Sequence, residues 1–476
     1  MRIGQQAIII YASKILGSLI GFVGFIYLSN ELGASVIGRY NLVVALAGWI
    51  TLFTGTSLAM SAAKRLSESD TDGSQLITTA VAVQAVLLLA FVGMIAAFDD
   101  IITGYTELKQ IAPLGTLIVA FSIYQLVGGV LRGQGNVHIE GLLDPINASV
   151  GRGTQVIAVV SGFGLVGLVY GHALGLVLAT VPGLLYIKGS LVRPTKKHAA
   201  RLFSFSKYAW ASGAESRGWS NIDILSLGLF VAIPTSFIGA YGAAWSISGI
   251  LSLFSTSVSS AMFPQISKAS SSNETTSISS LLRDALVFNG FLMIPGLMGG
   301  LLLSERILTI YGPDFRQGAI VLAPIILGRL LYNYKHQFSN VLNATDNPDL
   351  AMHISILFLI LNVGLNLVFI YTLGGVGAAL ATVLSAGISL VVAFVYCRKI
   401  VAFTIPYKEI GKQILAAVAM GAVVFVLKGY VPLGEPIVGR VVNTAVLVLA
   451  GGVVYLGLMY AMSGYIRQKV LENSPI

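Results

Sequence analysis

Charge is scarce in this 476-residue sequence: Asp, Glu, Lys and Arg make up 10% of it, against roughly 25% in an ordinary soluble domain. Too few polar side chains remain to cover the surface of a water-soluble fold, and no polar block longer than a loop interrupts the apolar stretches between residues 8 and 462. Cysteine is scarcer still. Cys397 stands alone, which excludes an intrachain disulfide and a thiolate metal cluster, and no Cys/His spacing of the zinc type occurs. Neither GxxxxGK[ST] nor a kinase-like glycine loop is present, so nothing in the chain is built to cradle ATP phosphates for hydrolysis. No cofactor is expected.

Hydrophobic residues are abundant, at 55%. A helix needs about 20 apolar residues to cross roughly 30 Å of hydrocarbon. Cutting the chain at its polar and Gly/Pro/Asn-rich breaks predicts fourteen such spans, at residues 8–28, 40–62, 77–98, 111–131, 148–165, 168–187, 208–232, 237–262, 284–304, 317–337, 350–372, 375–396, 411–430 and 439–462. The first is read as a retained helix, because no small-residue cleavage site separates it from the second. The Gly-rich turns near VVSGFGLVGLVY and YTLGGVGAAL separate spans five from six and eleven from twelve.

The chain carries 29 Lys and Arg against 20 Asp and Glu, and their placement speaks of topology rather than of nucleic acid, which is not an expected partner. Nineteen basic residues, Lys335 among them, fall on one side of the predicted spans. Six fall on the other: Arg39, Lys109, Arg306, Arg316, Lys428 and Arg440. The positive-inside rule then places both termini in the cytoplasm of a multi-pass protein of the cell membrane. The densest basic segment, KGSLVRPTKKHAARLFSFSK at 188–207, reads as a cytoplasmic anchor that meets anionic lipid headgroups.

A pattern recurs on either side of that segment. SVIGRYNLVVALAGW from Ser35 and SFIGAYGAAWSISGI from Ser236 share Ser35/Ser236, Ile37/Ile238, Gly38/Gly239, Tyr40/Tyr241 and Gly48/Gly249 at one offset. The repeat predicts a six-helix lobe at 1–190, a basic inter-lobe loop at 191–207, a second six-helix lobe at 208–398, and two additional helices with a short cytoplasmic tail at 399–476. The fold class is therefore all-α: a polytopic membrane protein of about fourteen transmembrane helices, with two pseudo-symmetric lobes around a central cavity and two appended C-terminal helices. Repeated membrane halves enclose a site and rock to give alternating access, so transport is the leading class.

Several loose motifs built from Gly, Asn and Pro accompany this plan. They are LSNELGASVIGRYNL near the N-terminus, IDILSLGLF around Asp223, IGAYGAAW, AMFPQIS at 261–267, IPG at 294–296, IYGPDFRQGAIVL at 310–322, the turn at Asn343 to Asp346, and NVGLNLVFIYTLGGVGAALAT. Over nearly its whole length the chain resembles the oligosaccharidyl-lipid flippases of the multidrug/oligosaccharidyl-lipid/polysaccharide superfamily, the polysaccharide biosynthesis membrane proteins. That resemblance implies two six-helix lobes, a central cavity, and a polyprenyl- or dolichyl-phosphate-linked sugar moved from the inner to the outer leaflet for surface glycan or glycoprotein assembly. Partners would be the lipid-linked sugar, membrane lipids and glycosyltransferases of the same pathway.

An ionisable group at mid-membrane costs about 2.5–3.5 kcal/mol on the insertion scale, so each needs a partner, a wet cavity or a function. Six such groups stand inside the predicted spans: Lys14, Arg152, Glu215, Arg217, Asp223 and Arg329. Four are cations, which suits a phosphate or diphosphate headgroup. Lys14, Arg152, Arg217 and Arg329 are thus the candidate substrate-binding cations. For Lys14 snorkelling to the interface is the alternative, and for Arg152 a structural role. On span seven, Glu215, Trp219 and Asp223 form one helical stripe beside Arg217 and Asn221, and Glu215 and Asp223 are candidates for ion coupling or for an internal ion pair with Arg217. His172 reads as a packing residue. Two other functions remain open on the sequence. A cation-coupled drug or solute exporter of the same fold would favour the opposite cavity charge. A polytopic glycosyltransferase, with Asp99 and Asp100 as its acid pair, would lack an acceptor-holding loop and leave the repeat without a role.

Overall fold

A computed structural model describes residues 3–68, 72–272 and 274–472, and every element in them is helical. The first compact unit runs Met1–Gly239. It contains α1 (Ile3–Thr51), a π-helical turn (Leu52–Thr56), α2 (Ser57–Leu66), α3 (Gly73–Ala97), α4 (Asp99–Thr106), α5 (Ala112–Gly133), α6 (Val137–Val160), α7 (Gly164–Tyr186) and α8 (Lys196–Gly228). The second unit runs Ala240–Ile476. It holds most of α9 (Thr235–Ser271), followed by α10 (Thr275–Thr309), a 3₁₀ turn (Pro313–Gly318), α11 (Ala319–Ala344), α12 (Pro348–Leu373), α13 (Val376–Ile400), α14 (Tyr407–Tyr430), α15 (Ile437–Met462) and α16 (Gly464–Glu472).

Among the described residues, eleven helices are long and apolar enough to cross a membrane. The clearest are apolar on the outside: α3 has a mean hydropathy of 2.5 with 17% of its most apolar window buried, and α15 2.1 with 22%. Water would not tolerate such faces, whereas lipid does. The three other predicted spans lie on the first half of α1, on α6 and on α8. Spans one and two lie on two helical stretches of α1 that meet at Gly33, where a non-helical φ of 77° and ψ of 167°, which few residues other than glycine adopt, interrupt the helix. Helices α6 and α8 are too polar to register by hydropathy, since α6 carries Glu140, Asp144 and Arg152 and α8 carries Glu215, Arg217 and Asp223.

Local chemistry sets several boundaries. Asp72 caps α3 by accepting from the Gln75 amide at 3.1 Å, and Thr195 caps α8 by accepting from the His198 amide at 3.3 Å. The short Gly-rich turns do separate helices: Gly162 and Gly164 between α6 and α7, and Gly374 between α12 and α13, all have positive φ. In the first unit Leu58 and Ala62 of α2, Leu76 and Ala80 of α3, Leu126 and Val130 of α5 and Leu202 of α8 make one buried cluster, so α8 packs with the helices that precede it. The segment expected as an inter-lobe loop, 191–207, overlaps the start of α8, and the first compact unit runs on to Gly239. In the second unit α14 and α15 pack on α10 through Val287, Leu303, Ala417, Leu447 and Tyr455.

The repeat glycines meet. A Cβ on Gly38 would lie 1.8 Å from the Thr235 carbonyl oxygen, and one on Gly239 would lie 2.0 Å from that of Ala34. Only paired glycines allow α1 and the start of α9 to approach so closely, and the Ser35 and Thr235 hydroxyls bond across the crossing at 2.9 Å. Polar contacts also join helices within each unit. In the first unit Arg39 pairs with Glu107 at 2.8 Å, while Glu68 lies between Arg65 at 3.0 Å and Arg201 at 2.8 Å. In the second, Arg306 donates to the carbonyls of Lys428, Val431 and Pro432, while Lys469 pairs with Asp284 at 3.1 Å.

Candidate functional site

A polar cavity of about 420 Å³ opens inside the first unit. It is built by the end of the π-helical turn and α2, by α5, by the first turns of α6, and by one residue each from α7 and α8. The π turn brings Thr56 against Gln125, whose side-chain oxygen accepts its hydroxyl proton. Single-turn π segments inside α-helices recur at functional sites because they displace the following side chains from the regular helical stripe. Across from them Tyr124 donates to Asp144 Oδ1 at 2.5 Å, and Arg132 pairs with Glu140 at 3.5 Å. Asn147 lies one turn beyond Asp144 on the wall, and its buried Oδ1 accepts no hydrogen bond from a described residue.

Arg217 supplies the remaining cation of this cavity. Its guanidinium packs along α1, where a Cβ on Gly48 would come within 3.3 Å of Nη1 and equally of Asn221 Nδ2. Among the described residues it forms no ion pair and no side-chain hydrogen bond. Asp223 is buried and Glu215 partly so, and neither stands without a partner.

The other predicted cations have different surroundings. Lys14 lies on α1, but its side chain is outside the described residues. Arg152 lies on α6, two turns before its C-terminal end at Val160. It donates to Gln155 Oε1 at 2.7 Å, and its guanidinium carbon is 5.4 Å from the Phe25 ring centre. Gln155 in turn donates to the Tyr40 hydroxyl at 2.8 Å, and that hydroxyl bonds His172 Nδ1 at 2.8 Å. His172 is therefore the end of a buried chain running Arg152–Gln155–Tyr40–His172, a link that the sequence reading as a packing residue missed. Tyr40 was already marked, being one of the matched repeat positions. Gln155 follows Arg152 at the i+3 spacing that aligns side chains on a helix.

In the second unit Arg329 is buried on α11. Its Nε donates to Ser248 Oγ at 2.9 Å, its Nη2 donates to the Trp245 carbonyl at 3.3 Å, and its guanidinium carbon stands 4.3 Å from the Trp245 ring centre. The sequence reading counted Lys335, in the last turn of the span at 317–337, among the cytoplasmic basic residues; α11 continues to Ala344, and Lys335 is 1% exposed with its ammonium 4.5 Å from the Tyr332 ring centre. Nearby helices hold a second cluster that the sequence analysis did not single out, in which Asn362 donates to Thr382 and Ser385 at 3.2 Å each and Asn366 donates to the Asn362 side-chain oxygen at the same distance.

An all-helical polytopic membrane protein with charged and amide side chains gathered inside its helices, rather than on loops, belongs by architecture to the transporters. Known proteins narrow this. The profile of the family described as lipid II flippase MurJ matches residues 75–447. A solved structure of the lipid II flippase MurJ in an inward closed conformation superposes with a TM-score of 0.79 at 16% identity, covering 97% of this chain and 100% of that one. An inward-facing multidrug resistance MATE family transporter of the MOP superfamily superposes at 0.69 with 15% identity, covering 80% and 94%. Two proteins of Haloferax volcanii are similar in sequence: the probable flippase AglR is 28% identical over 99% of this chain and 98% of its own, and the probable low-salt glycan biosynthesis flippase Agl15 is 30% identical over 90% of each. The chain belongs to the lipid II flippase MurJ family, and it is a flippase.

Proposed function

We propose that the protein carries a lipid-phosphate-linked sugar or oligosaccharide from the inner to the outer leaflet by alternating access, with both termini in the cytoplasm, and that Arg217 holds the phosphate headgroup on the way. The observation that carries this reading is a guanidinium on α8 that lines a cavity and forms no ion pair among the described residues. With α8 taken as the span expected at 208–232, a cation without an ion pair there is costly and calls for a ligand of opposite sign. A guanidinium presents a planar fork that matches two phosphate oxygens. The names of AglR and Agl15, a flippase and a glycan biosynthesis flippase, point to the same class of cargo.

Arg329 and Arg152 support the reading less directly. Arg329 is held by Ser248 and Trp245, and Arg152 by Gln155 and Phe25, so both have surroundings that account for them without cargo. The test is transfer in proteoliposomes. A fluorescent dolichyl- or polyprenyl-linked sugar is placed in both leaflets, and the fraction protected from a membrane-impermeant quencher is followed with time. Losing charge-assisted bonds worth about 1.5–3 kcal/mol slows Arg217→Ala by roughly 10- to 150-fold, with Arg217→Lys between the two. An Arg217→Ala protein that melts like the wild type and flips at its rate would remove this headgroup assignment.

A further inference from the structure

The cavity that Arg217 enters is not a cationic site overall. Arg132 is matched by Glu140 at 3.5 Å, and Asp144 lines the same wall, held by Tyr124, so Arg217 is the one cation of the cavity with no ion pair among the described residues. A phosphate is answered by that guanidinium and leaves the rest of the wall unused. What the wall offers instead is alternating donors and acceptors beside aromatic rings. Tyr124 occupies one oxygen of Asp144 and leaves the other to accept. Gln125 has its oxygen occupied by Thr56 and keeps two amide protons to donate. Asn147 Oδ1 is buried with no described donor, an arrangement that folded proteins rarely leave unanswered. Phe121 and Leu176 close the cavity with apolar surface.

Neighbouring hydroxyls on a ring, each able to donate and to accept, with an apolar C–H face between them, are the complement of that wall. A volume of about 420 Å³ lies within the range of small-molecule sites. We infer that this cavity is a sugar subsite: Asp144, Asn147 and Gln125 hydrogen-bond the hydroxyls of the uncharged sugar nearest the lipid phosphate, and Tyr124 positions Asp144 for that contact. The inference rests on the headgroup reading of Arg217 for the orientation of the cargo. It adds that the first unit selects for the sugar and not only for the phosphate.

The experiment measures binding to the full-length protein in detergent, using a short-chain prenyl phosphate that is either bare or carries one glucose, galactose or mannose. At least one of the sugar-bearing forms binds about 10-fold or more tightly than the bare phosphate, as expected for one or two additional hydrogen bonds with a charged partner. Asp144→Asn and Tyr124→Phe bring that ratio toward one while leaving the affinity for bare prenyl phosphate unchanged, and both keep the wild-type melting temperature. Arg217→Ala weakens every ligand by a similar factor and preserves the ratio. Equal affinity of the wild type for all four ligands overturns the subsite, as does an Asp144→Asn protein that loses the bare phosphate as much as the sugar. An Arg217→Ala protein with unaltered affinities throughout refutes the headgroup reading alone, because the ratio still reports on the sugar.

Discussion

Replacing Gly38 by Ala puts the crossing of the two repeat motifs to a direct test. The new Cβ would stand 1.8 Å from the Thr235 carbonyl oxygen, 2.8 Å from its carbon and 2.9 Å from the Gly239 nitrogen. All three obstacles are backbone, so no rotamer change relieves them. The helices must part by about 1.5 Å to restore ordinary van der Waals separation, which removes dispersion contacts along the whole crossing. Overpacking of this kind costs about 1–3 kcal/mol, and the rigid obstacle puts Gly38 toward the upper end. Alanine's better helix propensity returns at most about 1 kcal/mol. The net change is a loss of about 1–2 kcal/mol. At Gly93 on α3 the same substitution meets nothing within 4 Å, so only the propensity gain remains and the sign reverses. Melting curves of the purified protein in detergent should therefore place Gly38→Ala and Gly239→Ala below the wild type and Gly93→Ala at or above it. Because each alanine clashes with the other glycine's neighbourhood, the double variant Gly38→Ala/Gly239→Ala should lose less than the sum of the two. A Gly38→Ala protein as stable as Gly93→Ala would refute the close crossing.

Two further outcomes follow from polar groups. Partial burial raises the Glu68 carboxyl, but Arg65 and Arg201 outweigh it and hold the group below its ordinary value. A lowered carboxylate adds stability above the unfolded-state value and loses it as pH falls through the folded one. Glu68→Gln should therefore melt below the wild type at pH 7 by less than about 1 kcal/mol, and the two curves should converge as acid protonates the Glu68 carboxyl, or in high salt; a gap that persists in high salt would contradict the ion-pair explanation. In the second unit, Asn362→Ala removes donors to Thr382 and Ser385 and the acceptor of Asn366 in a fully buried cluster. That should lower stability by about 1–3 kcal/mol, read as an earlier melting transition, and an unchanged transition would show that the cluster contributes nothing to holding α12 against α13.

Helix positions were legible because lipid imposes a length and a composition on anything that crosses it, and the Gly turns at 162–164 and 374 announced themselves by residue type. The polar run Ser29, Asn30 and Glu31 marked the end of the first span, and the helix is interrupted two residues on, at Gly33. One feature escaped for a physical reason. The run LYNYKHQFSN reads as polar because hydropathy averages over all faces of a helix, whereas α11 buries Asn333 and Gln337 on one face and Lys335 on another against its neighbours. Averaging cannot tell a polar face that meets protein from one that meets water.

The same reasoning separates the parts of the site that could be read from those that could not. Arg217 was visible as a charge in an apolar run, because the cost of placing it there does not depend on what surrounds it. Its surroundings were not visible. Glu140 is an ordinary first-turn residue of α6 and Asp144 follows one turn on, and they become cavity walls only when α5 and α8 come beside them. Nor could the sum of intramembrane charges predict the sign of a site, since Arg152, Arg217 and Arg329 lie in three different environments: an amide and a phenyl ring for the first, an open cavity for the second, a serine and an indole for the third. A net positive count favours an anionic cargo only to the extent that the cations share a cavity. In the first unit one cation lines the cavity without an ion pair among the described residues, so on the proposed reading the phosphate meets a single guanidinium and the remaining polar groups are left to recognise the sugar attached to it.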